Sequence, residues 1–199
     1  MFNDKGLTTT WIESFALKGK SEDKFSFLTS AFTVVICSIL LILSAKIKVD
    51  LYPVPMTLQP LAILMIAMLC GRNIAVSAIG LYLFQGIIGF PVFAYGGGFA
   101  YLMGPTGGFL LGFLIAGIAI GELADRGWGK NIFKSAAAML IGLVIIYFFG
   151  IMQLSLIKGF DYAILKGMQP FIIGDFYKLL LASFLLPQIW KLTKNFSNY

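Results

Sequence analysis

The chain has 199 residues, of which 59% are hydrophobic and only 12% charged, with 15 Lys and Arg against 9 Asp and Glu for a net charge of +6. Soluble domains carry about 25% charged and 45–50% apolar residues, so this composition excludes an ordinary water-soluble fold and leaves room for one membrane-embedded unit. Histidine is absent, which removes the usual proton shuttle and the commonest metal ligand; the two cysteines, Cys37 and Cys70, sit in apolar runs and read as small buried hydrophobes.

Residues 1–25 are expected to form a cytoplasmic tail. The first 24 residues hold four Lys and four acidic residues and no apolar run of the signal-peptide kind. A short amphipathic stretch around Trp11 to Leu17 is a candidate for lying on a membrane surface. Six helices then follow at about 26–45, 57–71, 73–89, 104–121, 133–153 and 171–190. They make a six-helix membrane domain over 26–190, followed by a cytoplasmic tail at 191–199. A spanning helix needs about 20 mostly apolar residues, and helices are favoured because lipid cannot satisfy open backbone groups. The 49 uncharged residues between Arg72 and Glu122 hold two spans and a loop. Only Gly71-Arg72-Asn73 separates the second and third helices, which predicts a tight turn there. The fold class is an all-α integral membrane protein.

Basic residues set the orientation. With a cytoplasmic N-terminus, Lys5, Lys18, Lys20, Lys24, Arg72, Arg126, Lys130, Lys134, Lys191 and Lys194 lie inside. Lys46, Lys48, Lys158 and Lys166 lie outside, a ratio of ten to four. The positive-inside rule therefore favours both termini in the cytoplasm. The same spread, with no stripe or nucleic-acid motif, assigns the positive charge to contact with anionic lipid headgroups. Glu122, Asp125, Arg126 and Lys130 read as a solvated inner loop.

The unusual residues gather toward the outer side. Tyr52-Pro53-Val54-Pro55-Met56-Thr57-Leu58-Gln59-Pro60 has three prolines in its last eight residues, enforcing an extended or turning backbone. It is either a rigid connector or one that offers Thr57 or Gln59 at the mouth of the second helix. The stretch from Gly86 to Phe99 is too apolar for a solvent loop and too rich in glycine for a span. Such backbone is tolerated where it is buried or lines a cavity. It reads as a hinged lid carrying Phe93 and Tyr95, or as an interfacial belt. Gly108 and Gly112, like Gly117 and Gly121, are four apart, a spacing that permits close helix packing, and Pro105 suits a first helical turn. The sharpest feature is Gly174-Asp175-Phe176-Tyr177-Lys178 inside the last apolar segment. Ionised groups there are expensive and mark a site, a pathway or a mutual pair. Asp175 and Lys178 share a helix face and neutralise one another, while Lys178 can offer an ammonium to an anion and Asp175 can accept from N–H groups.

No Ser-His-Asp arrangement, histidine base or Gly-rich loop ending in Gly-Lys-Ser/Thr is present, so neither enzymatic catalysis nor ATP hydrolysis by this chain is expected. A few polar groups near one side suit a pocket for a small organic anion with an apolar middle. From about residue 30 to residue 190 the sequence resembles the BioY family, the substrate-binding S component of biotin transporters of the energy-coupling factor (ECF) class. The matching stretches are Pro53-Val54-Pro55-Met56-Thr57-Leu58-Gln59, Gly86 to Ala94, Gly104 to Phe113 and Gly174-Asp175-Phe176-Tyr177-Lys178. The resemblance implies a six-helix S component with a biotin pocket near the extracellular face of a bacterial plasma membrane. It also implies a membrane coupling protein and two cytosolic ATPase subunits as partners. Biotin is then the transported substrate, and no prosthetic group is implied. Carried onto this chain, Asp175 and Lys178 are the leading ligand contacts, Gln59 and Gln85 secondary polar ones, and Phe93 and Tyr95 covers. Phe90 and Phe109 stand where many relatives are expected to have Leu and Tyr, and helix 1 lacks the alanine face expected to meet the coupling protein. An S component for a different vitamin, or a membrane assembly protein with no transported ligand, are the rival readings.

Overall fold

The structure is a computed structural model describing residues 23–197, with side chains described over 27–189. The expectations for residues 1–22, including the stretch around Trp11, lie outside the described residues. The chain order is α1 (Asp23–Lys46), a two-stranded antiparallel ladder of β1 (Lys48–Val49) and β2 (Met56–Thr57), and α2 (Gln59–Ile87). There follow a short α3 (Phe99–Leu102), α4 (Gly107–Asp125), a 3-10 turn (Trp128–Lys130), α5 (Ile132–Lys158), a short α6 (Phe160–Gly167) and α7 (Gln169–Ser197). Five helices among the described residues are long and apolar enough to cross a membrane: α1, α2, α4, α5 and α7. Large apolar side chains on their outward faces, such as Phe32, Leu43, Val144, Phe148 and Phe184, are exposed, as expected where the surrounding solvent is lipid.

Helix starts follow local chemistry. The Asn131 side chain accepts from the backbone N–H groups of Phe133 and Lys134 at 2.9 and 3.1 Å, capping α5. At α2 the Thr57 hydroxyl accepts from the Gln59 N–H at 3.2 Å, and Pro60 occupies the first turn, where a missing N–H costs nothing. Pro105 falls ahead of α4, not in its first turn, because Gly107 is the first helical residue there. The final helix runs on to Ser197, past the expected boundary at 190.

The second helix is not straight. Gly71 has φ 75° and ψ −179°, a backbone that interrupts the helix and that a Cβ would strain. A straight helix would separate Gln59 from Tyr82 by about 34 Å. Instead the Gln59 amide donates to the Tyr82 hydroxyl at 2.8 Å, so the chain folds back on itself at Gly71. The expected turn at 71–73 is thus present. Arg72 fixes that turn to the end of α4: its N–H donates to Asp125 at 3.2 Å and its guanidinium meets Glu122 at 3.3 Å. Glu122 also pairs with Arg126 at 3.1 Å. These pairs are exposed and individually weak.

The glycines of α4 give the packing its closeness. A Cβ at Gly108 would meet the Phe149 backbone, and one at Gly112 would lie 2.9 Å from the Ile146 Cα, so this pair lets α5 approach. Gly117 and Gly121 face α2 instead, against Ile79 and the Arg72 backbone. One helix thus carries two glycine pairs for two neighbours. On the far side of α2, the free Cys37 and Cys70 thiols lie 4.0 Å apart where α1 packs on it.

Gly121→Val is expected to cost about 1–3 kcal/mol, because the added branches meet backbone that cannot move aside. Gly80→Ala, with nothing within 4 Å of its added Cβ, should leave stability unchanged or slightly raised. Thermal unfolding of both variants in detergent measures the difference.

Candidate functional site

A cavity with about 560 Å³ of atom-free space, part of it open to solvent, lies where the ladder, α2, α4, α5, α7 and the 88–98 loop meet. Its walls are apolar and aromatic, including Phe93, Tyr101, Phe109, Phe113, Ile146 and Phe171. The polar groups on the lining are Thr57, Gln59, Thr106, Tyr147, Asp175 and Lys178.

The charged end of the cavity is built by three elements. On α7, Lys178 Nζ lies 2.8 Å from Asp175 Oδ1, one turn apart on the same face. The same ammonium donates to the Thr57 carbonyl of β2 at 2.8 Å. From α5, the Tyr147 hydroxyl donates to Asp175 Oδ2 at 2.6 Å. Asp175 is 6% exposed, so burying it requires a counter-ion and donors. An ammonium has three donors and a carboxylate about four acceptor sites. Two donors of Lys178 and two acceptor sites of Asp175 are engaged within the protein. The remainder, a cationic donor beside an anionic acceptor, is available to a ligand that has both an anionic or carbonyl oxygen and N–H groups.

The apolar end depends on Phe93, which is fully buried and packs on Tyr82 and Tyr101 with ring centroids at 5.4 and 4.9 Å. It fits because Gly86 on α2 has no side chain: a Cβ there would overlap the Phe93 ring. Opposite, the Phe109 ring packs into the space left by Gly150. The Gln153 side chain donates to the carbonyls of Leu102 and Gly104 at 2.8 and 2.7 Å, holding the approach to α4. Outside the cavity, Lys48 pairs with Asp50 at 2.8 Å and stands 3.4 Å over the Tyr95 ring, whose hydroxyl donates to Asp50 at 2.8 Å. The Lys48 ammonium, then the Tyr95 hydroxyl, hold the Asp50 carboxyl below its usual range.

Of the residues singled out from the sequence, the structure brings Asp175, Lys178, Gln59 and Phe93 to the cavity lining. Gln85 and Tyr95 are not on it. Gln85 accepts from Ser38 of α1 at 3.2 Å, and Tyr95 is an exposed partner of Asp50. Tyr147 and Tyr101 were not anticipated; each sits in a run of apolar residues where only its hydroxyl distinguishes it. Gln59 is committed to Tyr82, so its role includes holding the α2 fold-back.

Tyr147→Phe removes one of two donors from a buried carboxylate and is expected to destabilise the fold by about 1–3 kcal/mol. Denaturant unfolding in detergent, with Phe148→Leu on the exposed face of α5 as the neutral comparison, measures it.

Comparison with known proteins bears on this geometry. The BioY family model matches residues 18–195. A protein of Pyrococcus horikoshii named a probable biotin transporter BioY is 37% identical over 139 residues, 69% of this chain and 82% of the relative. The biotin transporter BioY of Thermotoga maritima is 36% identical over 156 residues, 77% of this chain and 90% of the relative. In fold, the chain matches the crystal structure of an S-component for biotin from an ECF-type ABC transporter with a TM-score of 0.75. That match has 23% identity and covers 86% of this chain and 95% of the other. With its family signature spanning nearly all of the membrane domain and the fold of a solved S component, the chain belongs to the BioY family of multi-pass membrane transport proteins.

Proposed function

We propose that this chain binds biotin with high affinity and carries it across the plasma membrane as the substrate-specific S component of an ECF-type transporter. One observation carries the reading: a part-buried ammonium and a buried carboxylate, each with unused hydrogen-bonding capacity, at the end of an aromatic-walled cavity. Biotin has the matching chemistry, with a carboxylate, a ureido group bearing N–H donors, and an apolar bicycle and chain between them. Lys178 and Asp175 are its leading polar contacts, with Phe93 covering the apolar part. The names of the curated relatives support this choice of ligand. The protein is a transport subunit and not an enzyme.

The finer topology belongs to the same proposal. Counted as separate crossings, the two arms of α2 bring the spans to six. The excess of basic residues on the expected inner segments supports a topology with both termini in the cytoplasm. The cavity then opens toward the extracellular side, at the end of the molecule that carries Lys46 and Lys48. A membrane coupling protein and two cytosolic ATPase subunits complete the transporter, since no phosphate-binding loop is present in this chain.

Saturable binding of radiolabelled biotin to the purified protein in detergent tests the ligand, with other vitamins as competitors. Absence of saturable binding by folded protein contradicts the reading, and displacement by a different vitamin transfers it to that vitamin. The charged pair needs a variant that does not simply unfold. Lys178→Ala alone would leave Asp175 buried without its counter-ion, a strongly destabilising change. The double variant Asp175→Asn with Lys178→Met removes both charges together. It is expected to stay folded by thermal unfolding while losing about a hundredfold in biotin affinity, the loss of two charge-assisted hydrogen bonds. The chain alone is expected to release no phosphate from ATP.

A further inference from the structure

The segment that carries Phe93 is held at two places of different character. Its base is tied to the end of α2, where the Gly98 N–H donates to the Gly86 carbonyl at 2.6 Å. Its tip is a tight turn in which the Phe93 N–H donates to the Gly96 carbonyl at 2.8 Å. That tip is gripped from outside by the last residue of α1. Lys46 Nζ donates to the Pro91 carbonyl at 2.7 Å and to the Phe93 carbonyl at 2.6 Å. Both are charge-assisted bonds to carbonyls of the arm that leads into that turn. Beyond the tip, Tyr95 closes on Asp50 and Lys48. Lys46 itself is exposed at the surface, whereas the ring that it holds in place is fully buried against the cavity.

The geometry points to a latch: Lys46, assisted by the Lys48–Asp50–Tyr95 clasp, holds the Phe93 segment over the cavity and sets how long the ligand stays. Lys46 touches no residue of the charged end and acts through Phe93, so it is a positioning residue. Releasing it leaves the base at Gly86 as the anchor. Gly89, with φ 105°, and Gly98, with φ 100°, flank the stretch and supply the backbone freedom for Phe93 to swing away. The β ladder couples latch and site. Lys48 pairs with Thr57 in that ladder, and the Thr57 carbonyl accepts from Lys178. Lys48 of the clasp and the Thr57 carbonyl that holds Lys178 therefore stand opposite one another on one ladder. The effect on residence time rests on the biotin reading; the effect on the segment itself does not.

The test reads both. In the ligand-free protein, Lys46→Met is expected to speed amide hydrogen exchange within residues 89–98 about tenfold, less than two buried charge-assisted bonds would give, because both lost bonds come from an ammonium exposed to solvent. Exchange in α4 and α5 should stay unchanged. In the biotin-loaded protein, release should accelerate by a similar factor, with association changed much less. Lys46→Arg, which keeps a cationic donor, is expected to restore slow exchange and slow release. Tyr95→Phe, which loses only the bond to Asp50, is expected to show a smaller change of about two- to threefold at so exposed a site. Lys134→Met, in the opposite end of α5, should change neither. Unchanged exchange over 89–98 in Lys46→Met overturns the latch, as does an equal loss of protection throughout the helices. Faster exchange with unchanged biotin release overturns the claim about residence time. If wild-type protein binds no biotin, the ligand reading fails, and the exchange measurement still decides the latch.

Discussion

The ammonium of Lys178 is the contact on which the rest of the site depends. It lies within a membrane helix and is shared between a carboxylate one turn away and a backbone carbonyl of the β ladder. An isolated charge there would be prohibitively costly, and a bare Asp175–Lys178 pair would still leave polar capacity unsatisfied. Tyr147 from α5 and Thr57 from β2 supply much of the remainder. Three elements distant in sequence are thereby drawn to one point. Because each group keeps some capacity in reserve, the pair is a structural tie that, under the proposed function, also receives the polar ends of the ligand. A charge pair fully satisfied by protein would hold the helices equally well and bind nothing.

Around that tie the molecule is shaped by where side chains are missing. Gly108 and Gly112 let α5 approach α4, which brings Tyr147 within reach of Asp175. Gly150 leaves the space for Phe109, and Gly86 leaves the space for Phe93. Two of the rings that bound the cavity thus occupy room vacated by a glycine on a neighbouring helix. Ring walls of this kind give a ligand large apolar contact at little conformational cost, and the polar end fixes its orientation.

Much of this was legible in the chain itself. Long uncharged runs mark the apolar helices, Gly71-Arg72-Asn73 marks the fold-back, and the isolated charges at 175 and 178 mark the charged end of the cavity, because ionised groups are a local violation of what a membrane helix tolerates. Tyr147 and Tyr101 were not legible in the same way. A tyrosine in an apolar run is an ordinary membrane residue until the fold engages it: the Tyr147 hydroxyl meets Asp175 on another helix, and the Tyr101 ring packs on Phe93. Gln85 and Tyr95 show the converse. Each is a polar or amphipathic group at a suggestive place in sequence, and each is engaged elsewhere, with Ser38 and with Asp50. The outer lysines at 46 and 48 read as weak noise in the charge count. In three dimensions they are tied to the loop that covers the cavity.

The most direct test of the central claim is a crystal structure of the protein with biotin bound. The account predicts ligand density in the cavity beneath Phe93, with a biotin oxygen about 3 Å from Lys178 Nζ or a ureido nitrogen at that distance from Asp175. Biotin seated elsewhere, or in the cavity with both groups bonded only to protein, would contradict it.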